Sequence, residues 1–286
     1  MNRTFVNLQG GLGNQLFIYF YSLYFSERYQ KRITYLSNGK NVLFKVGIEI
    51  QKDTFSMNKI IGNAFFALIG KLSSYAFFNR YIYTPKEIGF EKPQKNLNQT
   101  IFVGGYFQTP DYMNKLSLSR QIINEINVFL DQRQSIKPEI DFRNSAAVHI
   151  RRGDYLLPKN SYFGILSSDY YIDAISRLLR SNDVDNIYLF SDSKLSPSFL
   201  VRLKDYFSQI SFVEMFDKSL SDIDTLGLLT RFEAIVISNS TFAWWGAFLN
   251  GNSKVFCPNK WFKERPDPNM IYPKHWITIT SRWGQF

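Results

Sequence analysis

Four short stretches of the chain combine residue types that can handle an anion. In His149-Ile150-Arg151-Arg152-Gly153-Asp154-Tyr155 two guanidinium groups stand side by side. Arginine stays protonated and donates in a fork that matches phosphate oxygens. A plain surface ion pair of either arginine with Asp154 would use the same residues, but the flexible Gly153 and the adjacent His149 favour a site. The stretch Gln9-Gly10-Gly11-Leu12-Gly13-Asn14-Gln15 is a second candidate, because glycines let a backbone approach a ligand and a helix N-terminus presents unpaired N–H groups. It lacks the third glycine of G-x-G-x-x-G, and a tight strand-to-helix turn would look the same. Ser191-Asp192-Ser193 and Ser238-Asn239-Ser240-Thr241 offer small hydroxyl, carboxylate and amide groups, suited either to capping a helix or to holding phosphate and ribose.

Each of these stretches follows an apolar run that reads as a strand. In the C-terminal half the runs are 146–150, 187–190, 212–215, 234–237 and 254–256. They alternate with helix-period segments over 168–181, 197–209, 222–232 and 241–250, the rhythm of βαβ units in a parallel sheet. The arginine pair therefore sits at a strand's C-terminal end, where open α/β sheets bind ligands. Three polar loops on one sheet edge point to a shared, nucleotide-shaped cleft. The N-terminal half opens likewise: strand 4–8, glycine loop, aromatic helix 13–31 and strand 33–36. Residues 38–100 are irregular apart from a helix near 57–79. Strand 101–103 and a helix over 117–132 follow, and the polar stretch 131–144 with Pro138 is the best linker. In the helix after Thr241, Trp244 and Trp245 read as core.

At 286 residues, with about 150 per domain, two domains are expected, 1–140 and 141–286. An apolar fraction of 45% with 20% charged residues excludes a disordered or low-complexity chain. One cysteine and two histidines leave no internal disulfide and no structural zinc cluster. The N-terminus reaches glycine before any apolar stretch forms, so a secretory signal is not expected. The longest apolar stretch, Ile60–Ile69, is about half of what a bilayer span needs. Net charge is +10, and it is uneven: residues 1–137 hold 17 Lys/Arg against 8 Asp/Glu, the remainder 17 against 16. With Lys59, Lys71 and Arg80 around Ile60–Ile69, peripheral contact with an anionic membrane is one expectation; an internal helix with solvated lysines is the other. The basic residues do not interleave with aromatics along one element, so nucleic acid is not an expected partner.

Asp222-Ile223-Asp224 and Asp183-Val184-Asp185 match the D-x-D pattern of metal-dependent transferases, but so short a pattern arises easily by chance. Asp222 and Asp224 also fall in the first turn of an expected helix, where the dipole favours carboxylates. There is no P-loop and no G-x-S-x-G elbow.

Taken together, the blocks GGLGNQ, HIRRGDY, FSDS and ISNSTFAWWGAFLN resemble the galactoside α-1,2-fucosyltransferases of glycosyltransferase family 11. The resemblance is densest over 146–250 and weak over 38–100. It implies an α/β, GT-B-like fold with two facing Rossmann-like domains, an acceptor-side domain first and a GDP-sugar-binding domain second. It further implies inverting, metal-independent transfer of L-fucose from GDP-β-L-fucose to the 2-hydroxyl of a terminal galactose. The acceptor would be an oligosaccharide or lipid-linked glycan such as O-antigen, and the enzyme would be cytoplasmic, at or near the inner membrane face. By this resemblance Arg151 or Arg152 binds the β-phosphate and His149 and Asp154 organise that loop. Ser191, Asp192, Asn239, Ser240 and Thr241 bind the donor, Asp224 reads the guanine edge, and Gly11, Asn14 and Gln15 orient donor or acceptor. The chain departs from the family at Ile18, where relatives carry Gln, and at Phe232-Glu233, where they often carry His.

The catalytic base stays open between two alternatives. Asp154 can serve if its carboxylate is free of the arginines; otherwise a loose, oxocarbenium-like path lets the departing phosphate take the proton. A related transferase using another nucleotide sugar is the second enzyme reading.

Overall fold

A computed structural model of the chain describes residues 3–37, 41–50, 54–57, 59–85, 88–91, 97–133, 140–216 and 220–284. The chain falls into two compact units, Met1–Ile126 with Pro268–Pro273, and Asn127–Asp267 with Lys274–Phe286. Part of the expected linker, 134–139, lies outside the described residues.

The first unit holds strands β1 (Arg3–Leu8), β2 (Arg32–Ser37), β3 (Thr54–Ser56), β4 (Ile82–Tyr83) and β5 (Phe102–Val103), with helices α1 (Leu12–Tyr29), α2 (Lys59–Leu72) and α3 (Asp111–Lys115). The strands lie in the order β3-β2-β1-β5-β4, all pairings parallel. From β1 the chain builds outward to β3 and then returns to the other side, so the strand order reverses between β1 and β5. After Gly13, α1 contains neither glycine nor proline, and it buries Phe17, Phe20, Tyr21 and Phe25. It ends at Gln30, whose left-handed backbone (φ 51°) stops the helix. Phe65, Phe66, Ile69 and Leu72 of α2 pack on Leu36, Ile82 and Phe102 of the sheet.

Helix α4 (Ser119–Arg133) runs across the division. The second unit contains β6 (Ser145–Ile150), α5 (Ser168–Leu179), β7 (Asn186–Ser191), α6 (Pro197–Tyr206), β8 (Ser211–Glu214), α7 (Asp222–Leu229), β9 (Ala234–Val236), α8 (Thr241–Asn250), β10 (Lys254–Pro258) and β11 (Ile277–Ile279). Its sheet is again all parallel, in the order β11-β10-β9-β6-β7-β8. Every residue of β6 is buried, as a central parallel strand covered on both faces requires. The reversal here lies between β6 and β9.

The α/β fold of two Rossmann-like halves agrees with the sequence reading. So do nine strand and helix placements of the C-terminal half, within a few residues. The helix expected near 57–79 stops at Leu72, because Ser73 and Ser74 turn their hydroxyls back onto the carbonyls of Gly70 and Lys71 and compete with the helical pattern. The short β3, β4, α3 and β11 were beyond a periodicity argument, since a segment of two to five residues carries no period. Trp244 and Trp245 are fully buried, as expected of core residues, with Trp244 stacked on Phe248 (4.6 Å between centroids).

Candidate active site

Strand β6 delivers its last residues to the point where the second sheet reverses order, which is where such sheets leave a crevice beyond their strand ends. Arg151, just past β6, is held by two carboxylates. Its Nη2 meets Oδ1 of Asp154 at 2.6 Å and its Nη1 meets Oδ2 of Asp192 at 2.9 Å. Asp192 lies at the end of the neighbouring β7, and its Oδ1 also accepts from the backbone N–H groups of Arg152 (2.9 Å) and Gly153 (3.1 Å). One carboxylate thus fixes both the side chain and the backbone of the arginine loop. Gly153 makes this possible, because a Cβ there would run into Oδ2 of Asp192. A guanidinium has five N–H donors, so Arg151 keeps donors for an anion after bracing against both aspartates.

His149 lies beneath this loop, buried, with Nδ1 sharing a hydrogen bond with Oγ of Ser238 at 3.0 Å. Burial pulls its pKa down to about 3, and the charge of Arg151 adds to the effect. At neutral pH the imidazole is uncharged, so it supports the loop without adding positive charge. Tyr155 donates its hydroxyl to the carbonyl of Asn239 at 2.8 Å and stacks on Phe163, tying the arginine loop to the one after β9.

In that second loop Asn239 is a buried clamp. Its Nδ2 donates to the carbonyls of Phe163 and Trp261, both at 3.0 Å. Oδ1 of the same side chain is buried without a partner among the described residues. Ser240 stands at the N-cap of α8, yet its side chain makes no capping bond, so the helix start is not closed off by its own serine. Thr241 is the first helical residue. Uncapped N–H groups at a helix start beside a braced arginine suit a phosphate. Ser191 ends β7 and its Oγ accepts from the N–H of Ser193 at 3.3 Å.

Other expected site residues are occupied structurally. Asp224 is 1% exposed, and its Oδ2 accepts from the N–H and hydroxyl of Ser221 while the Ser221 hydroxyl accepts from the Asp224 N–H. This reciprocal capping box is what the first-turn position of a carboxylate anticipates. In the first unit Gln15 is buried. Its Nε2 donates to the carbonyl of Gly10 and its Oε1 accepts from the N–H of Val42, so it secures the glycine loop. Gly11 is the N-cap of α1. Asn14, in the first turn, accepts on Oδ1 from Nε2 of Gln108 at 2.8 Å. Gln108 follows β5, so this bond bridges the reversal of the first sheet. It also buries an Oε1 without a partner among the described residues.

Sequence reasoning passed over Ser238, Tyr155 and Gln108 as site residues. Ser238 and Tyr155 lie inside the Ser238–Thr241 and His149–Tyr155 stretches, and only the pairing of distant strand ends reveals their partners.

Two doubly wound parallel units, one of them with an arginine loop at its reversal point, are the architecture of a GT-B glycosyltransferase. The model of glycosyl transferase family 11 matches residues 2–280, and the chain belongs to that family. An α-1,2-colitosyltransferase of Escherichia coli is 28% identical over 303 residues, covering 98% of this chain and 99% of that protein. A galactoside 2-α-L-fucosyltransferase of Caenorhabditis elegans is 25% identical over 257 residues, covering 85% and 67%. Among solved structures, a GDP complex of a mutant of Arabidopsis thaliana FUT1 is similar in fold, with a TM-score of 0.51 at 13% identity over 98% of this chain and 74% of that one.

Proposed function

We propose that the protein transfers L-fucose from GDP-β-L-fucose to the 2-hydroxyl of a terminal galactose on a surface glycan such as O-antigen, with inversion and without a metal ion. The observation that carries the reading is Arg151, braced by Asp154 and Asp192 at the reversal point of the second sheet. In the reaction the acceptor oxygen forms a bond to C1 of the sugar as the bond from C1 to the β-phosphate oxygen breaks. The electron pair leaves with GDP, and Arg151 meets the charge that builds there. Arg152 and the uncapped start of α8 at Ser240 and Thr241 complete the anion site.

Asp154 is ion-paired with Arg151, so it must break that pair before it can take a proton. The departing phosphate is therefore assigned the acceptor's proton, along the loose path. Residues 141–286 serve the donor and residues 1–140 the acceptor, with Asn14 as the orienting group. The reaction belongs to the cytoplasm, where sugar nucleotides are available.

A second reading, a colitosyl donor in place of fucosyl, is favoured by the E. coli relative that aligns end to end with this chain. Release of the donor's nucleoside diphosphate across GDP-fucose, GDP-mannose, UDP-galactose and nucleotide-activated colitose separates the two. Turnover with GDP-fucose on galactose-terminated acceptors, undiminished by EDTA and lowered roughly 10²–10³-fold in kcat by Arg151→Ala, is the expected result. Abolition by EDTA, or an unchanged kcat in that variant, would overturn it.

A further inference from the structure

The outer face of α2 is apolar and, among the described residues, largely exposed. The helix already buries Phe65, Phe66, Ile69 and Leu72 against its own sheet. The opposite side carries Ile60 (80% exposed), Ile61 (65%), Ala64, Ala67 and Leu68 (53%), which at spacings of one, three and four residues form a single stripe. Just beyond the helix, Tyr75 and Phe77 are each 63% exposed. A helix apolar on both sides is ordinarily buried on both sides. Contiguous exposed apolar surface of this kind marks a docking site.

Charge identifies the occupant. Residues 54–86 contain Lys59, Lys71, Arg80 and Lys86 and not one Asp or Glu. Lys71 and Arg80 are exposed, and the Arg80 guanidinium lies 5.6 Å from the centroid of the Phe77 ring. The side chain of Lys59 lies outside the described residues. A protein partner binding this stripe would have no reason to exclude carboxylates over thirty-three residues. An anionic lipid surface would, since each acidic group near it is repelled. Aromatic side chains and long cations beside an apolar stripe are also the groups that settle at the headgroup boundary. The helix has 14 residues, about 21 Å at 1.5 Å per residue, too short to span a bilayer and suited to lying along its plane.

We infer that the exposed face of α2, with Tyr75, Phe77, Lys71 and Arg80, docks on an anionic phospholipid bilayer. The inference concerns a surface and stands apart from the choice of donor sugar, because its test reads no catalysis.

Co-sedimentation with vesicles of phosphatidylglycerol and phosphatidylcholine at physiological salt tests it. The protein is expected to pellet with mixed vesicles, weakly with pure phosphatidylcholine, and less as salt rises. Ile61→Asp with Leu68→Asp, both on the exposed face, should lower the bound fraction at least tenfold while leaving the circular dichroism melt unchanged. Lys71→Glu with Arg80→Glu should abolish the preference for the anionic lipid, and this pair keeps the test valid if the first variant misfolds. No pelleting of the unmodified protein, equal pelleting of the folded variants, or a dimer by analytical ultracentrifugation that the aspartate variant dissociates without any lipid binding would each overturn the inference.

Discussion

Arg151, Asp154 and Asp192 behave as a small charge network, and their geometry separates roles that residue type alone leaves mixed. Asp192 bonds two backbone N–H groups and one guanidinium nitrogen, so it positions the loop. Among the described residues, the carboxylate of Asp154 meets the Arg151 guanidinium, and its backbone carbonyl accepts from Nδ2 of Asn160. Replacing Asp154 with Asn removes one charge-assisted bond to Arg151, and kcat/KM is expected to fall roughly tenfold. The acidic limb of its pH profile should survive, because the proton is assigned to the departing phosphate. A profile that goes flat in Asp154→Asn, measured from pH 5 to 9, would make that carboxylate the base instead.

Among the elements, α7 packs against α8, the helix that begins at the loop after β9. Gly246 faces Leu229 across that contact, and a Cβ would come within 2.8 Å of Leu229 Cβ and 2.9 Å of its Cδ1. Leu229 is fully buried, in an interior packed too densely to yield easily. Gly246→Ala is expected to destabilise the protein by about 1–3 kcal/mol, the usual scale of overpacking. Gly70 in α2 has open space around its Cβ direction, so Gly70→Ala should be neutral or stabilising by up to about 1 kcal/mol. Urea unfolding of both variants checks the contrast. The same element view explains why the α8 start was legible: strand, polar tetrapeptide and aromatic helix follow one another in the chain. Its side-chain bonds were not, because Asn239 spends its donors on Phe163 and Trp261, which are far away in sequence.

Across the whole molecule, stability is coupled to His149. Its folded pKa is depressed to about 3 from an ordinary value near 6.5, so between those values the unfolded chain binds the extra proton. The contribution is complete above pH 6.5 and is lost as pH falls, by up to about 1.4 kcal/mol per unit. Chemical denaturation from pH 7 to 4 should show this slope, and His149→Asn should flatten it. Sequence by itself settled what local order can settle. The alternation of apolar runs with helical periods dictates parallel α/β units, and four motif blocks in fixed order mark the family. It also placed the arginines at a strand end, since strand and loop are contiguous. Only the tertiary structure decided which groups those motifs use. Whether Asp154 is paired, that Asp192 bridges two strand ends, that Gln15 and Asp224 are bound into their own loops, and that Asn14 meets Gln108 all depend on distances between segments up to ninety-four residues apart. Periodicity reports which face of an element is apolar. It carries no information on which neighbour that face will meet, or, as at α2, how much of it stays exposed.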